Sequence, residues 1–315
     1  MFCIIAFVIL GILGIFSATN RALAKEAFDC VLRRVTLRPC TTGFDQKMKA
    51  KILGSVITRS EFAARLISKN FELLAWIFFI LTLGSSAWSV RGLYLYYTTG
   101  SCNGLNQSSF CVFDPKGANN AVSTISSSCP VKIITEKDLT LNGVNLTGFP
   151  ALNPDAKNKI VFIGCYDCDY SRKAYPMIVD LMNHFNASLT FLEYPLPSKE
   201  KTDLSSKLGY CAYQQDSVKF WQLNDALFKA PKGSIEGNPD LINTTLTSVG
   251  LDADKINVCV NDPKTEDAVK SLMDEITKTK FYGTPTVFIN GKVLVGPKPY
   301  RVYAIMLEGL FYWLK

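Results

Sequence analysis

Cys165-Tyr166-Asp167-Cys168 places two sulfurs close enough to close a small disulfide ring. Thiols at this spacing suit thiol–disulfide exchange, in which one thiolate attacks sulfur and its neighbour resolves the mixed disulfide. The same pair is also half of a tetrahedral zinc site. The chain has one histidine, His184, and no second Cys-x-x-Cys to complete such a site. Redox chemistry is therefore expected, with no metal and no cofactor.

The elements that must position this pair are legible on either side. Lys159-Ile160-Val161-Phe162-Ile163 reads as an apolar strand, and Met177, Ile178, Leu181, Met182 and Phe185 recur at helical spacing. A cysteine at a helix N-terminus meets unpaired amides and the positive end of the macrodipole, which stabilise a thiolate. Cys165 is thus expected as the exposed nucleophile and Cys168 as the shielded resolving thiol. Far downstream, Gly283-Thr284-Pro285-Thr286-Val287-Phe288-Ile289 sets a proline at the start of an apolar strand. A cis bond at Thr284-Pro285 would leave the preceding backbone free to pair with an incoming peptide, although an edge strand with a tight turn reads the same way. Asn290-Gly291 is a hairpin signal, with Lys292-Val293-Leu294-Val295 returning.

In these motifs the region from about Pro150 to Lys315 resembles the DsbA-like branch of the thioredoxin superfamily. The likeness is carried by Cys165-Tyr166-Asp167-Cys168, Pro176, the run Lys219 to Phe228 and the run Gly283 to Lys292. It implies an α/β thioredoxin-like fold with a helical insertion, Cys165 as nucleophile, Cys168 as resolving thiol, and Thr284 and Pro285 as the substrate-facing loop. It also implies a structural disulfide between Cys211 and Cys259, for which two buried free thiols are the alternative. Between the cysteines, where strongly oxidising members tend to carry histidine, this chain has Tyr166 and Asp167, the residues expected to tune the Cys165 pKa. A carboxylate there disfavours the thiolate and points to a weaker oxidant or a reductase, with Arg172 and Lys173 offsetting it. If Asp167 faces water, the helix dipole and screening mute that effect.

The remaining segments agree with such a domain. Residues 188–195 read as a second strand, and helical character runs from about 198 to 280, an inserted subdomain. Its last helix starts at Asp262-Pro263 and lines up Ala268, Val269, Leu272, Met273 and Ile276 on one face. Residues 301–314 are expected to close the fold as a helix, and Val131 to Leu146, with Asn142-Gly143, to form a small hairpin.

The N-terminal part decides where the chemistry happens. Apolar runs over residues 1–19 and 71–97, the second ending in Tyr94, Tyr96 and Tyr97, are expected as two membrane helices. Residues 20–70 between them hold eleven Lys/Arg against four Asp/Glu, a surplus equal to the +7 of the whole chain. A short loop of that charge belongs in the cytoplasm, which places the N-terminus and everything after the second span outside. The alternative, a signal peptide cut near Ala22-Leu23-Ala24, lacks a basic segment ahead of its apolar run and would leave the C-terminal domain inside.

Seven of the ten cysteines follow the second span, where an oxidising compartment permits disulfides. Cys102 and Cys111 are a further possible pair, with Cys129 close enough to compete. Sequons at Asn106, Asn145, Asn186 and Asn243 fall on the same side. Residues 98–130, rich in Ser, Asn and Gly, read as a spacer before a domain at 131–315. The basic loop has no aromatic interleaving, so nucleic acid is not expected; the lipid bilayer is the expected partner, with the loop's charge either binding anionic head groups, acting as a topology signal alone or docking another protein.

The expected function is a membrane-anchored extracytoplasmic thiol–disulfide oxidoreductase. It would form, or less readily reduce or isomerise, disulfides in exported cysteine-containing proteins. A membrane redox partner would recycle the pair. The alternative is a tethered thioredoxin-fold adaptor whose Cys165–Cys168 bond is structural.

Overall fold

The structure, a computed structural model, describes residues 18–36, 69–107, 109–124, 138–195 and 203–314, with the single positions 38, 50, 62 and 65. Nearly all of the expected first span, much of the basic loop, Cys3, Cys40, Cys129 and residues 131–137 of the expected hairpin lie outside the described residues. The chain divides into two units, Met1–Val90 and Arg91–Lys315.

In the first unit, α1 (Ala18–Val35) lies within the basic segment. Its Cys30 is disulfide-bonded, which is at odds with a cytoplasmic loop, where thiols stay reduced. The long helix α2 (Phe71–Thr99) begins in this unit and ends in the second. Its stretch Trp76–Thr99 is, among the described residues, the single helix long and apolar enough to cross a membrane. Tyr94, Tyr96 and Tyr97, expected at the end of the second span, lie in the last turns of this helix.

The second unit is built on a five-stranded sheet. Its strands are β2 (Ala151–Leu152), β4 (Ser188–Glu193), β3 (Lys159–Gly164), β6 (Thr286–Ile289) and β7 (Lys292–Val295), side by side in that order. β3 and β4 run parallel and the other neighbours antiparallel. A parallel pair needs a crossover, which α3 (Asp169–Phe185) supplies. Alternation along the strands sends Ile160, Phe162, Val287 and Ile289 into a core with Ile178 and Leu181 of α3. Val161, Ile163 and Phe288 enter a second core on the opposite face with Ile276 and Phe281.

Between β4 and the last strands come α4 (Asp203–Gln215), α5 (Ser217–Lys229), α6 (Ser234–Gly237), α7 (Pro239–Ser248), α8 (Ala253–Val260) and α9 (Pro263–Lys278). Side chains of Asp216, Asn238, Asp252 and Asp262 accept from first-turn amides and fix four of these helix starts. A disulfide joins Cys211 of α4 to Cys259 of α8, with Cα atoms 5.9 Å apart. The closing helix α10 (Tyr300–Glu308) is shorter than expected, ending at Gly309 before a 3-10 turn at Tyr312–Leu314.

Two segments differ from expectation. Asn142-Gly143 does form a turn, with Val144 N donating to Leu141 O at 3.2 Å and Gly143 at φ 78°, yet residues 138–146 form no strand. Thr140 N bonds Thr279 O and Asn145 N bonds the Glu275 carboxylate, while Leu139, Leu141 and Leu146 pack into the second core. These apolar side chains are drawn onto the sheet and α9 instead of pairing with each other. The stretch read as a spacer also lies along the domain. Cys102 and Cys111 are disulfide-bonded, Asn106 exchanges hydrogen bonds with Val293 O and Val295 N of β7, and β1 (Ser123–Thr124) pairs with β5 (Gly283–Thr284).

Candidate active site

Cys165 follows β3 directly, and Cys168 is the N-cap of α3, so the helix starts at Asp169 and the first cysteine sits on the turn before it. Cys168 N donates to Cys165 O at 3.3 Å, and Cys165 N donates to Ser171 Oγ at 3.3 Å. The two sulfurs are bonded, with Cα atoms 5.3 Å apart. Each cysteine is only 4 % exposed, in contrast to the exposed nucleophile expected from sequence.

Thr284-Pro285 carries the one cis peptide bond among the described residues. Antiparallel β3 and β6 match Ile163 with Thr286. Cys165 lies two residues after Ile163 and Thr284 two residues before Thr286, so both leave the sheet at the same end. The loop and the cysteine pair therefore meet at one end of the sheet although they are far apart in sequence. Thr284 is fully buried, and its hydroxyl has no hydrogen-bond partner among the described residues.

The dipeptide between the cysteines points two ways. Tyr166 is buried among Phe191 and Phe228, and its hydroxyl donates to Asn224 Oδ1 at 2.6 Å. Asn224 in turn donates to the Tyr175 hydroxyl at 3.0 Å. Burial pushes the Tyr166 phenol up, and the nearby Glu193 charge adds to the shift, so Tyr166 is a neutral plug under the turn. Asp167 faces outward. Its Oδ1 accepts from Gly233 N at 2.8 Å and lies 3.9 Å from the Arg172 guanidinium. Arg172 also donates to Tyr166 O, to Ala230 O at 2.6 Å and to Leu227 O at 3.5 Å. Lys232 pairs with Asp169 at 2.6 Å. The active-site turn is thereby fastened to the insert between α5 and α6.

Sequence reasoning assigned no role to Ser171, Glu193 or Asn224. Glu193 pairs with Gly164 across the sheet, one residue before Cys165, and accepts from Ser205 Oγ at 2.9 Å and from Ser206 Oγ. It lines a cavity with Tyr166, Ser206, Tyr213 and Phe220 whose water-accessible space, ≈ 40 Å³, takes a few waters. Among the described residues no three His, Cys, Asp or Glu converge as a metal site. Cys211–Cys259 lies in the insert and Cys102–Cys111 before β1, neither of them part of the redox turn.

Comparison with known proteins supports the same region. The thioredoxin family matches residues 152–308. The chain is 23 % identical over 148 residues to a probable disulfide bond formation protein D of Bacillus anthracis, covering 44 % of this chain and 68 % of that protein. Among solved structures, oxidised BdbD of Bacillus subtilis is similar at 19 % identity and TM-score 0.44, over 53 % of this chain and 92 % of its own. A thioredoxin-like oxidoreductase of Silicibacter pomeroyi is similar at 24 % identity and TM-score 0.42, over 48 % and 84 %. With the cysteine turn and the loop of Pro285 both falling inside the match, residues 152–308 of the chain are a thioredoxin-family domain.

Proposed function

We propose that the Cys165–Cys168 pair donates its disulfide to dithiols of exported proteins on the outer side of a membrane, to which the N-terminal helices anchor the domain. In the forward reaction a substrate thiolate attacks Cys165 Sγ, forming a mixed disulfide and releasing Cys168 as thiolate. The second substrate thiolate then attacks its own mixed-disulfide sulfur and releases Cys165. Substrate loses two electrons and two protons, and the cysteine pair gains them. A membrane redox partner then removes them again.

The observation that supports this reading is the β3–β6 register, which brings Thr284, beside cis Pro285, to the same end of the sheet as Cys165 at the start of α3. A thiolate there lies near the unpaired amides of the first turn. Asp167 weakens it less than its charge alone suggests, because that carboxylate is already met by Gly233 N and Arg172. The name of the Bacillus relative, a disulfide bond formation protein, supports formation over reduction. The 4 % exposure of both cysteines favours the second reading, an adaptor with a structural bond.

Equilibration of the detergent-solubilised full chain with glutathione buffers, followed by alkylation and mass spectrometry of the Cys165–Cys168 peptide, tests both. An exchange-competent pair titrates well above the roughly −300 mV ceiling of structural disulfides. A value below that level sinks the oxidase reading and leaves the adaptor.

A further inference from the structure

We infer that this chain carries its own occupant for the peptide edge beside Cys165: residues 122–124 form a strap that an incoming substrate must displace. The inference rests on reading Cys165–Cys168 as an exchange centre. β5, the two residues before cis Pro285, pairs with no strand but β1 among the described residues. An open strand edge is what an extended peptide adds to. Here the edge is taken, with Ser123 opposite Thr284 and Thr124 opposite Gly283. Since Thr284 and Cys165 leave the sheet at the same end, the strap lies where a peptide presenting its sulfur to Cys165 would pair.

The contact is close along the backbone. A Cβ on Gly283 would stand 2.8 Å from Ser123 O and 2.8 Å from Val122 Cγ2, so glycine is what allows the strap to seat. The fastening is unequal. Upstream, Asn119 Nδ2 donates to Gly100 O at 3.0 Å and Asn120 Nδ2 to Gln107 O at 2.7 Å, while Asn120 Oδ1 accepts from the buried Lys298 ammonium. The Asp114 carboxylate accepts from the amides of Ala118 and Asn119, and the Cys102–Cys111 disulfide closes the preceding loop. Among the described residues downstream of Asn120, the strap is held by this two-residue ladder and by Val122, which packs on the second core. Such a ladder is marginal by itself. Among the described residues the buried Thr284 hydroxyl has no partner, so the strap covers this edge without satisfying that group. Anchored at one end and weakly paired at the other, it can yield to a longer peptide that pairs over more residues.

The test measures how fast the oxidised full chain exchanges with a dithiol peptide, in wild type, Val122→Ala and Ser123→Pro, alongside reduction potential and thermal unfolding. A strap closed nine times in ten slows exchange about tenfold, so Ser123→Pro should be about tenfold faster and Val122→Ala intermediate, at unchanged potential. Equal or slower exchange in folded Val122→Ala overturns the strap, and so does a faster rate accompanied by a shifted potential. Val122→Ala keeps the backbone amide and decides alone if Ser123→Pro does not fold. Absence of exchange in wild type and variants alike would instead remove the oxidoreductase reading on which the strap rests.

Discussion

At the residue scale, the support of the cysteine turn runs through one amide. Asn224 is fully buried, accepts from Tyr166 and donates to Tyr175, so two phenols depend on it. Asn224→Leu leaves both hydroxyls in an apolar site, at about 1–3 kcal/mol for each unsatisfied group, and should lower the denaturant midpoint accordingly. The same burial sets a pH limit. Tyr166, Tyr175 and Tyr303 are all raised above 10, chiefly by desolvation. Unfolded tyrosines lose their protons near 10 while the native ones keep theirs, so the stability they contribute is whole below that pH and falls as pH rises beyond it. Denaturant midpoints taken from pH 8 to 11.5 should be flat and then drop. A midpoint that stays level to the end of that range would contradict the burial. Cys165 and Cys168 could be singled out in the sequence because a cysteine pair at this spacing is uncommon, and Thr284-Pro285 because proline seldom opens an apolar strand. Asn224, Glu193 and Ser171 were not, since a polar residue in an amphipathic helix or at a strand end acquires its role only from what the fold places opposite it.

At the element scale, the helical insert depends on ends and staples as much as on packing. Asp262-Pro263 was readable as a helix start because capping is a local code, and the apolar face of α9 because its period is 3.6. The expected hairpin at Asn142-Gly143 failed for the complementary reason. A turn signal fixes a reversal of the chain, but strands form only if their edges find partners, and here Thr140 and Asn145 bond to the end of α9 and its Glu275. The disulfide between α4 and α8 closes 48 residues, and a loop of that length constrains the unfolded chain by about 4 kcal/mol in the chain-entropy account. Replacing both Cys211 and Cys259 with serine should therefore cost roughly 2–4 kcal/mol, read as a lower unfolding midpoint, while the Cys165–Cys168 potential stays in place. A coupled change in that potential would mean that the insert, fastened to the turn through Arg172 and Asp167, sets the redox poise as well as covering it.

At the scale of the whole molecule, two physical signals about compartment disagree. If the chain crosses a membrane as proposed, the basic surplus of residues 20–70 favours the cytoplasm for that segment, whereas Cys30 within it is disulfide-bonded. In the proposed two-span arrangement the charge argument weighs more, because exporting that segment would also carry the cysteine-rich domain to the reducing side and leave its disulfides without an oxidising environment. Arg301 also ties α10 to the end of α2, donating to Tyr97 O at 3.1 Å and Tyr96 O at 3.3 Å with its guanidinium 4.9 Å from the Tyr96 ring centre. The domain therefore begins directly at the helix end, so under the proposed anchoring that helix sets its side of the membrane. Trapping thiols in intact cells with a permeant alkylating reagent, followed by mass spectrometry, decides the orientation. Cys30 and Cys40 should be recovered alkylated, and Cys102, Cys111, Cys211 and Cys259 as disulfides. The reverse pattern would place the active site in the cytoplasm, where a glutathione pool keeps such pairs reduced, and would turn the proposed donor of disulfides into a reductase.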